Sequence, residues 1–142
     1  MEPQADCIFC KIVAGEIPAA RLYENDQVLS FLDIGPLSEG HALVIPKDHF
    51  VTVDVCPGKV LAHVASCLPA IARAVADATK CEGYNVLCNN GRAAGQLVDH
   101  LHFHIIPRTN GDALFSKWLA KEYAEGQMGK IAQRIRDQLK EI

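Results

Sequence analysis

The sequence lacks the features that mark secreted, membrane-spanning or repetitive chains. No apolar run of signal-peptide length follows a basic N-terminal segment, and no run is expected to approach the roughly 20 residues that a bilayer-spanning helix needs. The chain also contains no internal repeat and no low-complexity segment. We therefore predict one domain over residues 1–142, located in the cytoplasm and without a membrane partner.

The sequence also contains fewer positively than negatively charged residues. The chain carries 14 Lys and Arg against 17 Asp and Glu, which gives a formal net charge of -3. Because broad binding to nucleic acid needs clustered Lys and Arg that displace counterions, we predict no nucleic-acid partner. A single locally positive pocket would still suffice for an anion the size of a nucleotide.

Disulfides are not needed, although six cysteines are present. A chain of 142 residues, 49% of them hydrophobic, can bury an ordinary core with reduced thiols. Cys7 and Cys10 form a Cys-x-x-Cys pair that has three interpretations. They are a redox pair, two unrelated buried cysteines, or half of a zinc site completed by ligands such as His49 and His100.

The most informative stretch is residues 99–108, where His100, His102 and His104 alternate with large apolar side chains. Alternation at period two is typical of a half-buried strand and would place the imidazoles on one face, roughly 6 to 7 Å apart. Three interpretations follow from the residues alone. The histidines form a polar strand face, a catalytic metal site, or a nucleophilic site where a neutral imidazole attacks phosphorus.

Periodicity and helix breakers predict the other elements. An amphipathic helix is expected over 57–79, and Pro69 should kink it or divide it in two. Helical periodicity continues over 113–124 and 128–141, with Trp118 and Tyr123 as packing residues. A short N-terminal helical turn is expected at residues 8–12. Strands are expected at residues 21–24, 28–32, 41–46 and 84–89.

Two loops carry polar groups with more than one interpretation. Asp33 ends a predicted strand, where an acidic residue is usually a turn former but can also bind ribose hydroxyls. Residues 90–96 are rich in small side chains and lie directly before the histidines. They form either a flexible connection or an anion cradle of backbone N–H groups, to which Asn89, Arg92 and Gln96 would add donors.

Residues 100–106, His-Leu-His-Phe-His-Ile-Ile, resemble the signature of the histidine triad (HIT) family. The likeness covers about residues 6–109 and is strongest to the Hint-like branch. The tail is similar to that of bacterial and archaeal members. Further matching segments fall at residues 8–12, 31–34, 40–47, 89 and 95–96.

The resemblance implies an α+β fold. It would consist of an antiparallel five-stranded meander sheet with one long helix, a short N-terminal helix and a C-terminal helical extension over about 110–142. It also implies a symmetric homodimer. The implied activity is hydrolysis of a purine nucleotide, adenine or guanine, at its α-phosphate. The substrate would be a nucleoside phosphoramidate or a dinucleoside polyphosphate.

The resemblance also implies residue roles. His102 would be the nucleophile that forms a covalent nucleotidyl-histidine, with His41, Asn89 and His104 as the other catalytic residues. His104 separates the chain from the transferase branch, where glutamine usually stands, and so favours a hydrolase. Substrate-binding roles would fall to Ile8, Phe9, Ile12, Asp33, Ile34, Asn89, Gly95, Gln96 and His104.

Two further positions carry family-level expectations. The Cys-x-x-Cys pair resembles members that hold a structural zinc, which here implies the ligands Cys7, Cys10, His49 and His100 and no catalytic cofactor. Leu97 stands where many Hint-like hydrolases have Ser or Thr. That departure supports one alternative, a nucleotide-binding regulatory module with little turnover; a metal-dependent phosphodiesterase is the other.

Overall fold

The computed structural model describes residues 3–115 and 118–139. The chain divides into two compact units between Asp112 and Ala113. Within the described residues, the second unit contains one helix, α3 (Gln127–Gln138). The first unit contains helices α1 (Ile8–Val13) and α2 (Gly58–Thr79) and strands β1 (Arg21–Glu24), β2 (Val28–Leu32), β3 (Ala42–Pro46), β4 (Gly83–Cys88) and β5 (Phe103–Arg108). The α+β class and the main elements are confirmed.

The five strands form one antiparallel sheet in the order β1-β2-β3-β5-β4. The predicted meander is wrong for its last two strands, because β5 lies between β3 and β4. The 22 residues of α2 separate β3 from β4 along the chain and span about 33 Å at 1.5 Å per residue. This crossover takes the chain to the sheet edge, and β5 then fills the position beside β3.

Both faces of the central strands are buried. Helix α1 packs on one face, where Phe9 and Ile12 contact Leu29, Phe31 and neighbouring side chains. Helix α2 packs on the other face, against a cluster that contains Val28, Val44, Val64, Ile71 and Ile105. Because successive residues of a strand point to opposite faces, β2 and β3 supply both clusters and read as nearly continuous apolar runs.

Helix α2 is one continuous helix with Pro69 inside it. The predicted alternative, a division into two helices at Pro69, is therefore wrong. Its 22 residues and hydropathy of 1.4 would permit a membrane span by length and composition, contrary to the expectation of no such run. It is the one helix of this kind in residues 3–115 and 118–139. Val64, Ile71, Ala72 and Val75 of this helix are buried, and they make up part of the 22% of its apolar window that lies inside the fold.

The tail differs from its prediction. Apart from Ser116 and Lys117, which lie outside the described residues, residues 113–124 form no helix. Trp118 is 95% exposed and Tyr123 60% exposed, so the prediction that they are packing residues is wrong. Isolated helices of about 12 residues are marginal without tertiary packing. The second predicted tail helix exists as α3, and its predicted end at residues 140–141 also lies outside the described part.

Gly40 precedes His41 and supports a testable prediction about the fold. Its φ is +89°, and a Cβ there would overlap with Thr79 Cγ2. The methyl group cannot easily move, because Thr79 Oγ1 donates a hydrogen bond to the Val75 carbonyl at 2.8 Å. We therefore expect Gly40→Ala to lower the free energy of unfolding in urea by about 3 kcal/mol, since steric overlap adds to backbone strain.

Gly15→Ala is the matched control. Gly15 has a φ of +81° but open space around its Cα, so only the backbone cost of about 1 kcal/mol applies. Equal losses of stability in the two variants would contradict the packing argument.

Candidate active site and metal site

The alternation around the histidines separates two environments. Leu101, Phe103 and Ile105 belong to the clusters beneath α2 and its preceding loop. The rings of His102 and His104 lie 4.8 Å apart, centroid to centroid, and both line a cavity. Strand β5 begins at Phe103. Of the three histidines, only His104 lies within the strand, and the other two are in the segment that leads into it.

The cavity has a volume of about 390 Å³, and most of its lining is apolar. The four predicted apolar wall residues line it, together with Asp33, Gly95, Leu97, His102 and His104. Three predicted site residues, His41, Asn89 and Gln96, do not. The wall residues that line it as predicted are Ile8, Phe9, Ile12 and Ile34.

The tautomer of His102 follows from its hydrogen bond. Its Nδ1 lies 2.6 Å from the carbonyl oxygen of His100, which can only accept a proton. Nδ1 therefore carries the hydrogen, and Nε2 keeps a lone pair. Burial lowers the pKa of His102, so the ring stays neutral. A neutral imidazole with a free lone pair in a cavity is the form required for nucleophilic attack.

A second chain of hydrogen bonds sets the tautomers of His41 and His104. The backbone N–H of Leu37 donates to His41 Nδ1 at 3.0 Å, so the neutral His41 ring carries its hydrogen on Nε2. That group donates to His104 Nδ1 at 2.8 Å, which leaves the hydrogen of His104 on Nε2. His104 Nε2 is buried and has no hydrogen-bond partner. An unpaired buried donor of this kind fits a ligand that brings an acceptor oxygen or nitrogen.

Burial, aided by His102 and His41, lowers the pKa of His104 to about 4. Its pKa in the unfolded chain is about 6.5. Between pH 4 and pH 6.5, His104 is therefore mainly protonated in the unfolded chain and mainly neutral in the folded chain. The contribution of neutral His104 to stability is therefore complete above pH 6.5 and is lost as the pH falls towards 4.

We expect the free energy of unfolding of the wild type to fall more steeply than that of His104→Gln between pH 6 and pH 5. The difference should be about 1 kcal/mol per pH unit, since glutamine does not titrate. Urea unfolding of both proteins at matched pH values measures it. Parallel pH profiles would show that His104 is not held neutral by the fold.

Gln96 and Asn89 lie in the loop beside the cavity and interact with that loop. The buried Gln96 side chain donates from Nε2 to the carbonyls of Val51 and Val98 and accepts from the Gly91 N–H. Asn89 Nδ2 lies 3.5 Å from the Gly95 carbonyl. The Gln96 side chain therefore holds the loop through three internal hydrogen bonds, and its contact with substrate stays a prediction.

The four predicted metal ligands converge, although they come from three distant parts of the chain. All are buried, and their ligand atoms lie within 4.8 Å of one another. His100 Nδ1 is 3.4 Å from Cys7 Sγ and 3.6 Å from Cys10 Sγ, and Cys10 Sγ is 3.3 Å from His49 Nδ1. Tetrahedral zinc with ordinary bond lengths separates sulfur and nitrogen ligands by about 3.6 Å. The residues present therefore fit zinc.

Two details favour a metal at this cluster. His100 Nε2 donates to the Pro46 carbonyl at 2.8 Å, so Nδ1 keeps the lone pair that faces the thiols. Burial raises the pKa of the Cys7 thiol, and a thiolate there needs a compensating positive charge. The closed set of four ligands leaves no position for water, which is the pattern of a structural site.

A second cluster, Asp33 with His41 and His104, also has ligand atoms within 4.8 Å of one another. It does not fit a metal. Because the Leu37 N–H occupies His41 Nδ1, the neutral ring must keep its hydrogen on Nε2, the atom that would have to coordinate. A catalytic metal here would require that hydrogen bond to break.

Sequence reasoning missed the groups that decide these tautomers. They are the carbonyls of His100 and Pro46 and the N–H of Leu37. Every residue has such backbone groups, so no residue type signals them. Only the folded geometry shows which ones face an imidazole.

Comparisons with known proteins find relatives of this chain among curated sequences and solved structures. Over 113 residues the chain is 49% identical to Adenylylsulfatase HINT3 of Arabidopsis thaliana, covering 80% of this chain and 57% of that protein. It is 44% identical over 132 residues to Adenosine 5'-monophosphoramidase HNT1 of Saccharomyces cerevisiae, covering 92% of this chain and 81% of that protein. The chain thus spans little more than half of the first relative.

Two solved structures are similar over nearly the whole chain. A member of the HIT family of proteins from Bacillus subtilis has a TM-score of 0.89 and 40% identity, covering 96% of this chain and 99% of that one. A Zn-bound histidine triad family protein from Mycobacterium smegmatis has a TM-score of 0.73 and 38% identity, covering 94% and 95%. The family model for the HIT domain matches residues 14–111, and the chain belongs to the HIT family.

Proposed function

We propose that this chain hydrolyses purine nucleotides at the α-phosphate through a covalent nucleotidyl-histidine on His102, and that nucleoside phosphoramidates are its substrates. One observation carries the proposal. His102 is held as a neutral ring with a free Nε2 lone pair by the His100 carbonyl, in a cavity that also contains the unpaired donor of His104. The two relatives named as an adenylylsulfatase and a monophosphoramidase support this reaction class.

The cavity supplies the contacts that a nucleotide needs. The side chains of Ile8, Phe9, Ile12 and Ile34 form apolar walls for a base, adenine or guanine. The carboxylate of Asp33, at the same cavity, would accept hydrogen bonds from the ribose hydroxyls. Gly95 and His104 would lie beside the α-phosphate. Ile34 is 94% exposed, and it would become covered when the base binds.

In the first step, His102 Nε2 forms a bond to the α-phosphorus while the P–N bond of the substrate breaks. The departing nitrogen keeps the electron pair and takes a proton from solvent. The His41–His104 pair stays neutral, because the Leu37 N–H and the His41 Nε2–H occupy the lone pairs of His41 Nδ1 and His104 Nδ1. The Nε2–H of His104 also stabilises charge on a phosphate oxygen.

In the second step, water attacks the phosphorus of the nucleotidyl-histidine. The water gives its proton to solvent, the P–N bond to His102 breaks, and Nε2 recovers its lone pair. The His100 carbonyl holds Nδ1–H throughout both steps, so the ring cannot turn. The products are the nucleoside monophosphate and the amine.

The remaining parts of the proposal concern zinc, assembly and location. Cys7, Cys10, His49 and His100 would hold a structural zinc, which ties α1 to the segment before β5 and supplies no chemistry to the reaction. We also propose a homodimer, and a cytoplasmic location, where the six cysteines would stay reduced.

The test is incubation with adenosine 5'-phosphoramidate and detection of AMP. We expect turnover to continue in the presence of a chelator for as long as circular dichroism shows that the fold is intact. Binding of AMP without turnover would support the regulatory module. Loss of turnover on chelation with the fold intact would support the metal-dependent phosphodiesterase.

A further inference from the structure

A second cavity, with a volume of about 520 Å³, reaches the metal cluster. Cys7 and His49 line it, whereas Cys10 and His100 do not. The two thiols nevertheless lie close together. Their Sγ atoms are within 4.8 Å of each other, and the Cys10 N–H donates to Cys7 Sγ at 3.3 Å. One thiol of the pair therefore borders a cavity, and the other is its immediate neighbour.

The two residues between these cysteines also form part of the nucleotide cavity. Ile8 lines both cavities, and Phe9 lines the nucleotide cavity. The Phe9 ring meets the rings of His100 and His102 edge-on, at 5.9 Å and 5.1 Å between centroids. A change in the way that the cysteines are anchored would therefore move a wall of the nucleotide cavity.

We propose that Cys7 and Cys10 are an oxidation site, that a peroxide reaches Cys7 through the second cavity, and that the disulfide formed with Cys10 weakens nucleotide binding. The first two parts concern the thiols alone, and the third rests on the proposed function. A thiol that coordinates a metal is deprotonated, and the thiolate is the form of cysteine that peroxides oxidise. The metal ligands are therefore more reactive than the other cysteines of the chain.

The oxidation has two steps. Cys7 Sγ attacks one oxygen of the peroxide and becomes a sulfenic acid, while the O–O bond breaks and the departing hydroxide takes a proton from solvent. Cys10 Sγ then attacks the Cys7 sulfur, the S–O bond breaks, and a second hydroxide leaves as water with a proton from solvent. The two sulfurs lose two electrons, which reduce hydrogen peroxide to two water molecules. The disulfide contributes no thiolate, so only His49 and His100 remain as ligands and zinc is released.

The oxidation site is tested by treating the zinc-loaded wild type with stoichiometric hydrogen peroxide. Zinc release is followed with a colorimetric chelator, and trypsin, which cuts after Lys11, gives a peptide of residues 1–11 that contains both cysteines and no other. We expect one disulfide in this peptide for each zinc released, and reversal of both by dithiothreitol with added zinc. Dimedone, which traps sulfenic acids, should label Cys7 and not Cys10 when it is present during the oxidation. Cys56 is the internal control, because it is as buried as Cys7, at 8% exposed, but lies outside the metal cluster; it should stay unlabelled.

The route of access is tested by filling the second cavity. Val51 lines this cavity and is 39% exposed, so Val51→Trp should slow the release of zinc by peroxide severalfold. Val55→Trp is the matched control, because Val55 is an exposed valine outside both cavities, and it should release zinc at the wild-type rate. Equal rates in the two variants would overturn the route through the second cavity.

The effect on the nucleotide cavity is measured as the affinity for AMP, by calorimetry, of the reduced and the oxidised wild type. Oxidation should weaken binding by about tenfold, as expected for the loss of apolar contacts with a base. Zinc that stays bound, or a peptide of residues 1–11 without a disulfide, would overturn the oxidation site. A disulfide that leaves the affinity unchanged would overturn its effect on nucleotide binding. Reduced protein that does not bind AMP would instead overturn the proposed function, and the zinc and disulfide measurements would still decide the oxidation site.

Discussion

His102→Ala is expected to lower kcat for hydrolysis of adenosine 5'-phosphoramidate by at least about 10⁴-fold. Removing a nucleophile abolishes the covalent route and leaves only what binding and electrostatic stabilisation contribute. His102 is 5% exposed, so the loss of a buried ring also leaves a cavity. The fold should nevertheless survive, because the neighbouring Leu101, Ile105 and Ile106 keep their core contacts.

Two measurements separate loss of the nucleophile from loss of the site. The affinity for AMP, measured by calorimetry, should change less than tenfold, since the apolar walls and Asp33 are intact. Acid quenching of the wild type during turnover of labelled substrate should trap a labelled protein, and His102→Ala should trap none. A variant that keeps more than about one per cent of the wild-type kcat would falsify nucleophilic catalysis by His102.

The zinc prediction has the second largest expected effect. Wild-type protein from zinc-replete expression should contain about one zinc per chain, and Cys10→Ser should contain much less. A ligand present at 1,000 times its Kd stabilises the fold by about 4 kcal/mol. At about 4 °C per kcal/mol for a chain of this size, Cys10→Ser should lower the Tm by about 16 °C.

The loss of zinc should also weaken substrate binding in the nucleotide cavity. Helix α1 carries Cys10 together with Phe9, whose ring meets that of His102 edge-on at 5.1 Å. A loosened α1 would no longer hold the apolar wall, so KM should rise more than kcat falls. Cys67→Ser is the control, because Cys67 lies on α2 outside the metal cluster. Finding no zinc in the wild type, or equal Tm changes in the two variants, would contradict the structural site.

The tautomer argument bears on one of the two alternatives, the metal-dependent phosphodiesterase. The only described cluster near the cavity that could hold a metal, Asp33 with His41 and His104, would have to break the bond from the Leu37 N–H to coordinate. This argues against a metal-dependent phosphodiesterase on the basis of hydrogen bonding. The regulatory module rests on Leu97 alone, and the turnover experiment separates it from the hydrolase.

Several features of the protein follow from the sequence by itself. Alternation of histidine with Leu101, Phe103 and Ile105 indicated which side chains face the core, because a strand turns successive residues to opposite sides, although strand β5 itself begins only at Phe103. The strand patterns likewise indicated most elements, and the resemblance to the HIT family implied the four metal ligands. The tail was predicted less well, because helical periodicity over 113–124 does not create the packing that a short helix needs.

Tertiary structure alone decided the rest. It placed β5 between β3 and β4, and it brought Cys7, Cys10, His49 and His100 within reach of one ion. It also fixed the protons on three imidazoles through the carbonyls of His100 and Pro46 and the N–H of Leu37. The physical reason is common to all three: side-chain type and spacing encode local conformation, whereas contacts between distant segments and identical backbone groups exist only once the chain has folded.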